Sequence, residues 1–175
     1  NWIGHFLFNP DSTDLDKSFE SIEATAGDEI KTLTHGFSSY VGGGTAFKWT
    51  GNINANGIRP ELGYKLKVSS VDTLTLKGDI LNPTSRTINL TKGWNWIGFI
   101  SIRNQSLEQA MGNHNPSDGD LIKSNDQFSI YYAQTGWLGD LVVMSPGQGY
   151  MYKSLDTVNF VYPFAGMFKS GTQLD

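Results

Sequence analysis

The stretch GWNWIGF (93–99) decides the reading of this chain, because the chain also begins on that phrase, as NWIGHF (1–6). Outward from it, further blocks recur in one order. The second half continues with SLEQAM (106–111), GDLIKS (119–124), FSIYY (128–132), GWLGDL (136–141), PGQGYMYKS (146–154) and VNFVYP (158–163). The first half answers with LDKSFESI (15–22), GDEIKT (27–32), FSSY (37–40), KWTGNI (48–53), RPELGYKLKV (59–68) and LTLKG (74–78). Repeated blocks in fixed order mark an internal duplication. The offset between copies shrinks from the Trp2/Trp96 pair to the Tyr64/Tyr150 pair, which places small insertions at VGGGTA (41–46) and NANGI (54–58).

The blocks predict a mainly β fold with short helices. Two pseudo-repeats of antiparallel strands, each with one short helix, would form a barrel- or sandwich-like body. Repeat one covers 1–80 and repeat two 87–163, joined through DILNPTSR (79–86), with a tail over 164–175. WIGFI is apolar and β-prone. Ser106 and Gln109 make a capping box that starts a helix, and Asp14 is the matching N-cap in the first copy. Gly27-Asp28, Gly119-Asp120 and PGQG are turns. TINLTKGW (87–94) alternates like a strand leading into the second copy. The first copy has no such lead-in: either it has been trimmed away or another segment fills its place, the tail being one candidate.

Composition narrows the class of function. A net charge of −4 and pI near 5.3 disfavour nucleic acid, whose phosphates need clustered Lys and Arg. No apolar run approaches the roughly 20 residues that span a bilayer. The absence of Cys removes disulfides, thiolate metal sites and a Cys nucleophile. Aromatic residues at 13% and 20 glycines, with only 17% charged residues, describe a turn-rich β protein.

The aromatic residues are the functional candidates. Tyr64, Tyr150 and Tyr152 alternate with residues that are charged in at least one copy, so they are read as core. The same alternation is read as turning Phe128, Ile130 and Tyr132 inward and Tyr131 outward, with Tyr40 its counterpart. Trp49 and Trp137 stand beside small residues and are read as loop rings. Trp49, Trp137, Tyr40 and Tyr131 are thus the candidates for stacking on sugar C–H faces. The competing reading folds each Trp back as a lid over its own repeat. Trp94 and Trp96, two apart, would share a face and anchor the interface between repeats.

Other sites are weaker. Asp28 with Lys31 and Asp120 with Lys123 read as turn residues followed by solvated strand lysines. NPDSTDLD (9–16) holds Asp11, Asp14 and Asp16 but lacks the mid-loop Gly and bidentate Glu of a helix-loop-helix calcium site, and helix capping explains it better. The metal assignment stays open, with calcium the one cofactor in question. HNPSDGD (114–120) is equally ambiguous. His5, His35 and His114 show no metal spacing, and no GxSxG elbow occurs.

In its order of GWNWIG, capped helix, GDxIK, F-x-x-Y, GWxGxL and PGxGYMYK, the chain resembles tandem repeat modules of large secreted bacterial proteins. These occur in Bacteroidetes-type, gut and rumen organisms, some beside polysaccharide-degrading domains. The resemblance is tight over the second copy and looser over the first, which departs at RPELGY and KWTG. It implies an extracellular, non-catalytic accessory module beside neighbouring domains of a larger protein. The expected function is polysaccharide binding through exposed aromatic side chains. The alternatives are a structural or adhesion repeat without a small ligand and, third, a glycan-acting enzyme.

Overall fold

A computed structural model describes residues 1–4, 7–8, 14–43 and 46–164. In the first repeat these form β1 (Trp2–Ile3), β2 (Leu7–Phe8), α1 (Leu15–Ser18), β3 (Glu29–Thr32), β4 (Gly36–Gly43), β5 (Ala46–Gly51), α2 (Asn52–Asn56), β6 (Tyr64–Lys67) and β7 (Asp79–Ile80). The second repeat contributes β8 (Thr87–Leu90), β9 (Gly93–Gly98), β10 (Gln105–Ser106), α3 (Leu107–Ala110), β11 (Leu121–Lys123), β12 (Phe128–Tyr132), β13 (Gly136–Gly139), β14 (Val143–Met144), β15 (Gly149–Ser154) and β16 (Val158–Val161). The protein is mainly β, its sheets are antiparallel, and they do not close into a barrel; the arrangement is sandwich-like.

The duplication is written in the topology. One five-stranded sheet runs β1-β6-β3-β4-β5, and the other runs β9-β15-β11-β12-β13, the same order with equivalent strands. Register repeats as well: Lys31 faces Lys65 as Lys123 faces Met151, and Tyr40 faces Trp49 as Tyr131 faces Trp137. Each sheet buries one face. Ile30, Tyr64, Leu66 and Trp49 pack with Leu15, Phe19 and Ile53 in one core. Ile122, Tyr150 and Tyr152 pack with Leu107, Met111, Ile88, Leu90 and Phe160 in the other. Tyr64 and Tyr150 each accept a backbone N–H at 2.8 Å, from Arg59 and Ser145 respectively, so each ring also braces the turn that precedes its strand.

The helix starts follow the expected chemistry. Ser106 and Gln109 form a capping box, and Asp14 accepts the N–H of Asp16. The acid one position into each helix then reaches an edge strand. Asp16 accepts the N–H of Trp49 at 2.8 Å, and Glu108 accepts that of Trp137 at 3.1 Å. An edge N–H is thereby covered, which guards the strand against stray pairing.

One expectation, a single helix per repeat, needs correction. The first repeat has a second helix, α2, within the insertion around NANGI. Asn54 holds it by accepting from Leu15 N and donating to Trp49 O. The lead-in strand β8 is not a neighbour of β9 in its sheet; it pairs with β16, Val158 opposite Leu90. In the first repeat the counterpart of β16, LTLKG, is not a strand and has no strand partner among the described residues. Leu74 and Leu76 still pack against the core. Beside β1 lies β6, with the Asn1 amine donating to Leu66 O. Of the proposed tail, 165–175 lies outside the described residues.

The largest correction concerns faces. Phe128, Ile130 and Tyr132 point outward, and the inward residues of β12 are Ser129 and Tyr131. Ser129 is buried and donates to Leu141 O, so a small polar residue holds the position expected for a large apolar one. Gly139 passes directly over it. A Cβ at Gly139 would run into Phe128 O and Ser129, and its φ of 155° lies in glycine's territory. Gly51 stands in the same relation to Ser38.

Candidate functional site

The four stacking candidates sit on the inner sides of their sheets. Trp49 lies within β5, is 2% exposed, and packs edge-on to Phe19 and Tyr40 with centroids 5.5 Å away. It offers no free ring face, which corrects the reading of it as a loop ring. The flanking small residue, Gly51, serves the close pass over Ser38 instead. Trp137, within β13, is half-buried, edge-on to Tyr131 at 5.3 Å and Tyr152 at 6.1 Å. Tyr40 and Tyr131 are half-buried beside their tryptophans. Each Tyr–Trp pair is therefore a cross-strand lid on its own core.

The exposed rings are elsewhere, on the outer face of the second sheet. Trp94 is 39% exposed, Phe128 49%, Tyr132 42% and Leu138 51%. By register, Trp94, Lys153, Leu121, Ile130 and Leu138 form one row across all five strands. Trp96, Met151, Lys123 and Phe128 form the next. Shallow depressions of about 470 Å³ and 930 Å³ share Phe128, and Asn125, Asp126 and Gln127 rim one while Asp118, Gln134 and Thr135 rim the other. Lys123 stands over the Trp94 ring at 5.5 Å.

The first repeat has a different surface at the same places. Glu29, Ser39, Thr50 and Lys65 occupy the positions of Leu121, Ile130, Leu138 and Met151. Phe37 and Val41, the counterparts of Phe128 and Tyr132, are exposed as well, so the copies diverge at the positions of Leu121, Ile130, Leu138 and Met151 and not at every apolar place on this face. The sequence did carry this signal, since a position apolar in one copy and polar in the other faces water. It was masked by Phe128, which is matched by Phe37 in the first copy and so read as core.

The GDxIK carboxylates turn out to be internal ties. Asp28 accepts from Thr25 N, Ser69 N and Ser69 Oγ at 2.7–2.8 Å. Burial works to raise its pKa, but these hydrogen bonds outweigh that and hold the carboxyl below its usual range. Asp120 accepts from Ser117 N, Leu155 N and the Tyr152 hydroxyl. With that hydroxyl proton committed to Asp120, His114 Nε2 carries the imidazole proton and donates to Tyr152 Oη at 2.8 Å. Burial lowers the His114 pKa against the opposing pull of Asp120, and burial together with the Asp120 hydrogen bond raises that of Tyr152. In HNPSDGD, Asp118 accepts from Ala133 N. Asp14 and Asp16 are taken up by helix capping and by Trp49, while Asp11 and His5 lie outside the described residues. Among the described residues no three His, Cys, Asp or Glu converge as a metal site.

Backbone contact joins the repeats. Gly98 N donates to Glu61 O and Gly4 N to Gly147 O, equivalent bonds in opposite senses; Gly63 N also donates to Trp96 O. A Cβ at Gly4, Gly98 or Gly149 would collide with backbone of the other repeat, and at Gly63 it would lie 2.7 Å from Ile97 O. Trp2 and Trp96 close this seam edge to face at 4.6 Å. Of the WNW pair, Trp96 is the anchor and Trp94 is left to the outer face. Beside the seam lies a cleft of about 320 Å³, lined by His35, Arg59, Glu61, Asn89, Leu62 and Trp96 among others. His35 Nδ1 and Glu61 Oε2 are buried there without a hydrogen-bond partner. A buried polar group left unpaired costs about 1–3 kcal/mol.

No protein-family model matches the chain, and no curated protein or solved structure is significantly similar to it.

Proposed function

We propose that the chain is a non-catalytic module of a secreted bacterial protein that binds polysaccharide on the outer face of its second sheet. The observation that carries this reading is the divergence of the two copies. Four outer-face positions that bear Glu, Ser, Thr and Lys in the first repeat bear Leu121, Ile130, Leu138 and Met151 in the second, beside the exposed rings of Trp94 and Phe128. Trp94 and Phe128 stand three strand spacings apart, about 14 Å across the sheet, and two residues out of register along it, so they can meet successive parts of an extended chain. The polar rim supplies partners for hydroxyl groups. Lys123 and Lys153 interrupt the face, whereas the centre of a protein–protein interface is depleted of Lys.

The aliphatic residues Leu121, Ile130, Leu138 and Met151 favour a second reading, in which this face docks a neighbouring domain and the chain is a structural or adhesion repeat. Affinity electrophoresis through gels containing plant and algal polysaccharides separates the two. Glycan binding predicts retardation on at least one polysaccharide, relieved in Trp94→Ala/Phe128→Ala. Free migration on every glycan, or retardation indifferent to that double variant, rejects it in favour of docking.

A further inference from the structure

The inter-repeat cleft holds two side chains that the fold does not need. Glu61 occupies the place of Gly147, and the second repeat makes the equivalent seam bond, Gly4 N to Gly147 O, with no side chain there. His35 lies in the turn Leu33–Gly36, which is one residue longer than its counterpart Asn125–Gln127. At both places where the first copy departs, a polar atom is buried in the same cleft with nothing to bond.

From this we infer a sugar-binding site in the cleft, distinct from the outer-face platform, that takes one neutral sugar residue. A carboxylate only accepts, so Glu61 Oε2 calls for a donor, while an imidazole nitrogen can accept or donate. A hydroxyl-bearing ligand meets both demands. Glu61 repels an anion, and Arg59 in the same lining opposes a cation. Leu62 and Ile97 supply the apolar surface for the C–H face of a pyranose ring. Asn95 is not a ligand group, because its amide is spent on Thr91 and Gly93. The volume, about 320 Å³, lies at the small end of ligand sites and suits a single ring. The class of ligand rests on the glycan reading above; the location does not.

The test is a ¹H–¹⁵N titration of the whole chain with glucose, galactose, mannose, xylose, arabinose and N-acetylglucosamine. One of these is expected to shift the amides of Leu33–Gly36, Gly63 and Gly98 in a saturable way. Glu61→Gly, which copies the second repeat, is expected to weaken that binding about tenfold or more while the thermal midpoint holds. His35→Ala provides a second variant should the first unfold. Absence of cleft shifts with every sugar, or shifts of unchanged affinity in both variants, overturns the inference and leaves the two atoms to water alone. Polysaccharide retardation lost in Trp94→Ala/Phe128→Ala without any cleft shift would sink the cleft and spare the outer face. Cleft shifts without retardation would do the reverse.

Discussion

Trp2 and Trp96, equivalent residues of the two repeats, meet each other edge to face with ring centroids 4.6 Å apart. A contact between equivalent residues is the mark of an isologous interface, here made within one chain. Around it the repeats touch through glycine backbone, which explains why both copies keep a Gly after WI and before Tyr.

Gly98→Ala is therefore expected to lower stability by about 2–3 kcal/mol, in line with overpacking of a rigid contact. The added Cβ has only the Pro60 and Leu62 carbonyls to meet, and neither can swing aside as a side chain would. Urea unfolding measures the loss, and an unchanged midpoint would show that the seam yields.

Acid should weaken the second repeat through His114. Its pKa is depressed by burial, so the unfolded chain binds a proton more readily than the folded one. Stability is then full above the unfolded value of about 6.5 and falls as pH drops below it toward the depressed folded value. Thermal melts between pH 8 and 5 test this, and His114→Phe should flatten the part of the slope that lies near pH 6.

Much of this was legible in the residues themselves. Block order matched the equivalent strands of the two repeats, and alternation placed Tyr64, Tyr150 and Tyr152 in the cores, where they are buried. Alternation failed on β12 because the match of Phe128 to Phe37 was taken as the mark of a core position, whereas both rings are exposed. Ser129 is inward since its hydroxyl has Leu141 O to bond and Gly139 leaves no room for more. Trp49 looked like a loop ring because Gly51 looked like a loop residue. Such a glycine reports a close pass between strands, which depends on what lies opposite and not on its neighbours in sequence. The cleft was illegible for a similar reason: one wall, with His35 and Glu61, comes from the first repeat and the other, with Asn89 and Ile97, from the second.

Asp120→Ala should cost about 3 kcal/mol, near the upper range for losing hydrogen bonds to a charged group. It strands Ser117 N, Leu155 N and the Tyr152 hydroxyl together. Denaturant titration is the measure, and a loss under about 1 kcal/mol would mean the turn re-forms its bonds elsewhere.

Tyr162→Phe should act in the opposite sense. The Tyr162 hydroxyl is buried with no hydrogen-bond partner, so removing it discards a desolvation penalty and loses no bond. A gain of about 1 kcal/mol is expected, read as a higher urea midpoint at unchanged slope.

The central claim, that polysaccharide lies on the outer face of the second sheet, is tested most directly by tryptophan quenching. Of the five tryptophans, Trp49 is shut in its core, Trp2, Trp96 and Trp137 are half-buried, and Trp94 alone reaches the exposed class. Iodide quenching is measured with and without the polysaccharide that retards the protein. The account predicts that the polysaccharide shields the most quenchable emission in the wild type and that Trp94→Phe abolishes this shielding. Shielding that survives in Trp94→Phe, or none in the wild type at saturation, would contradict it.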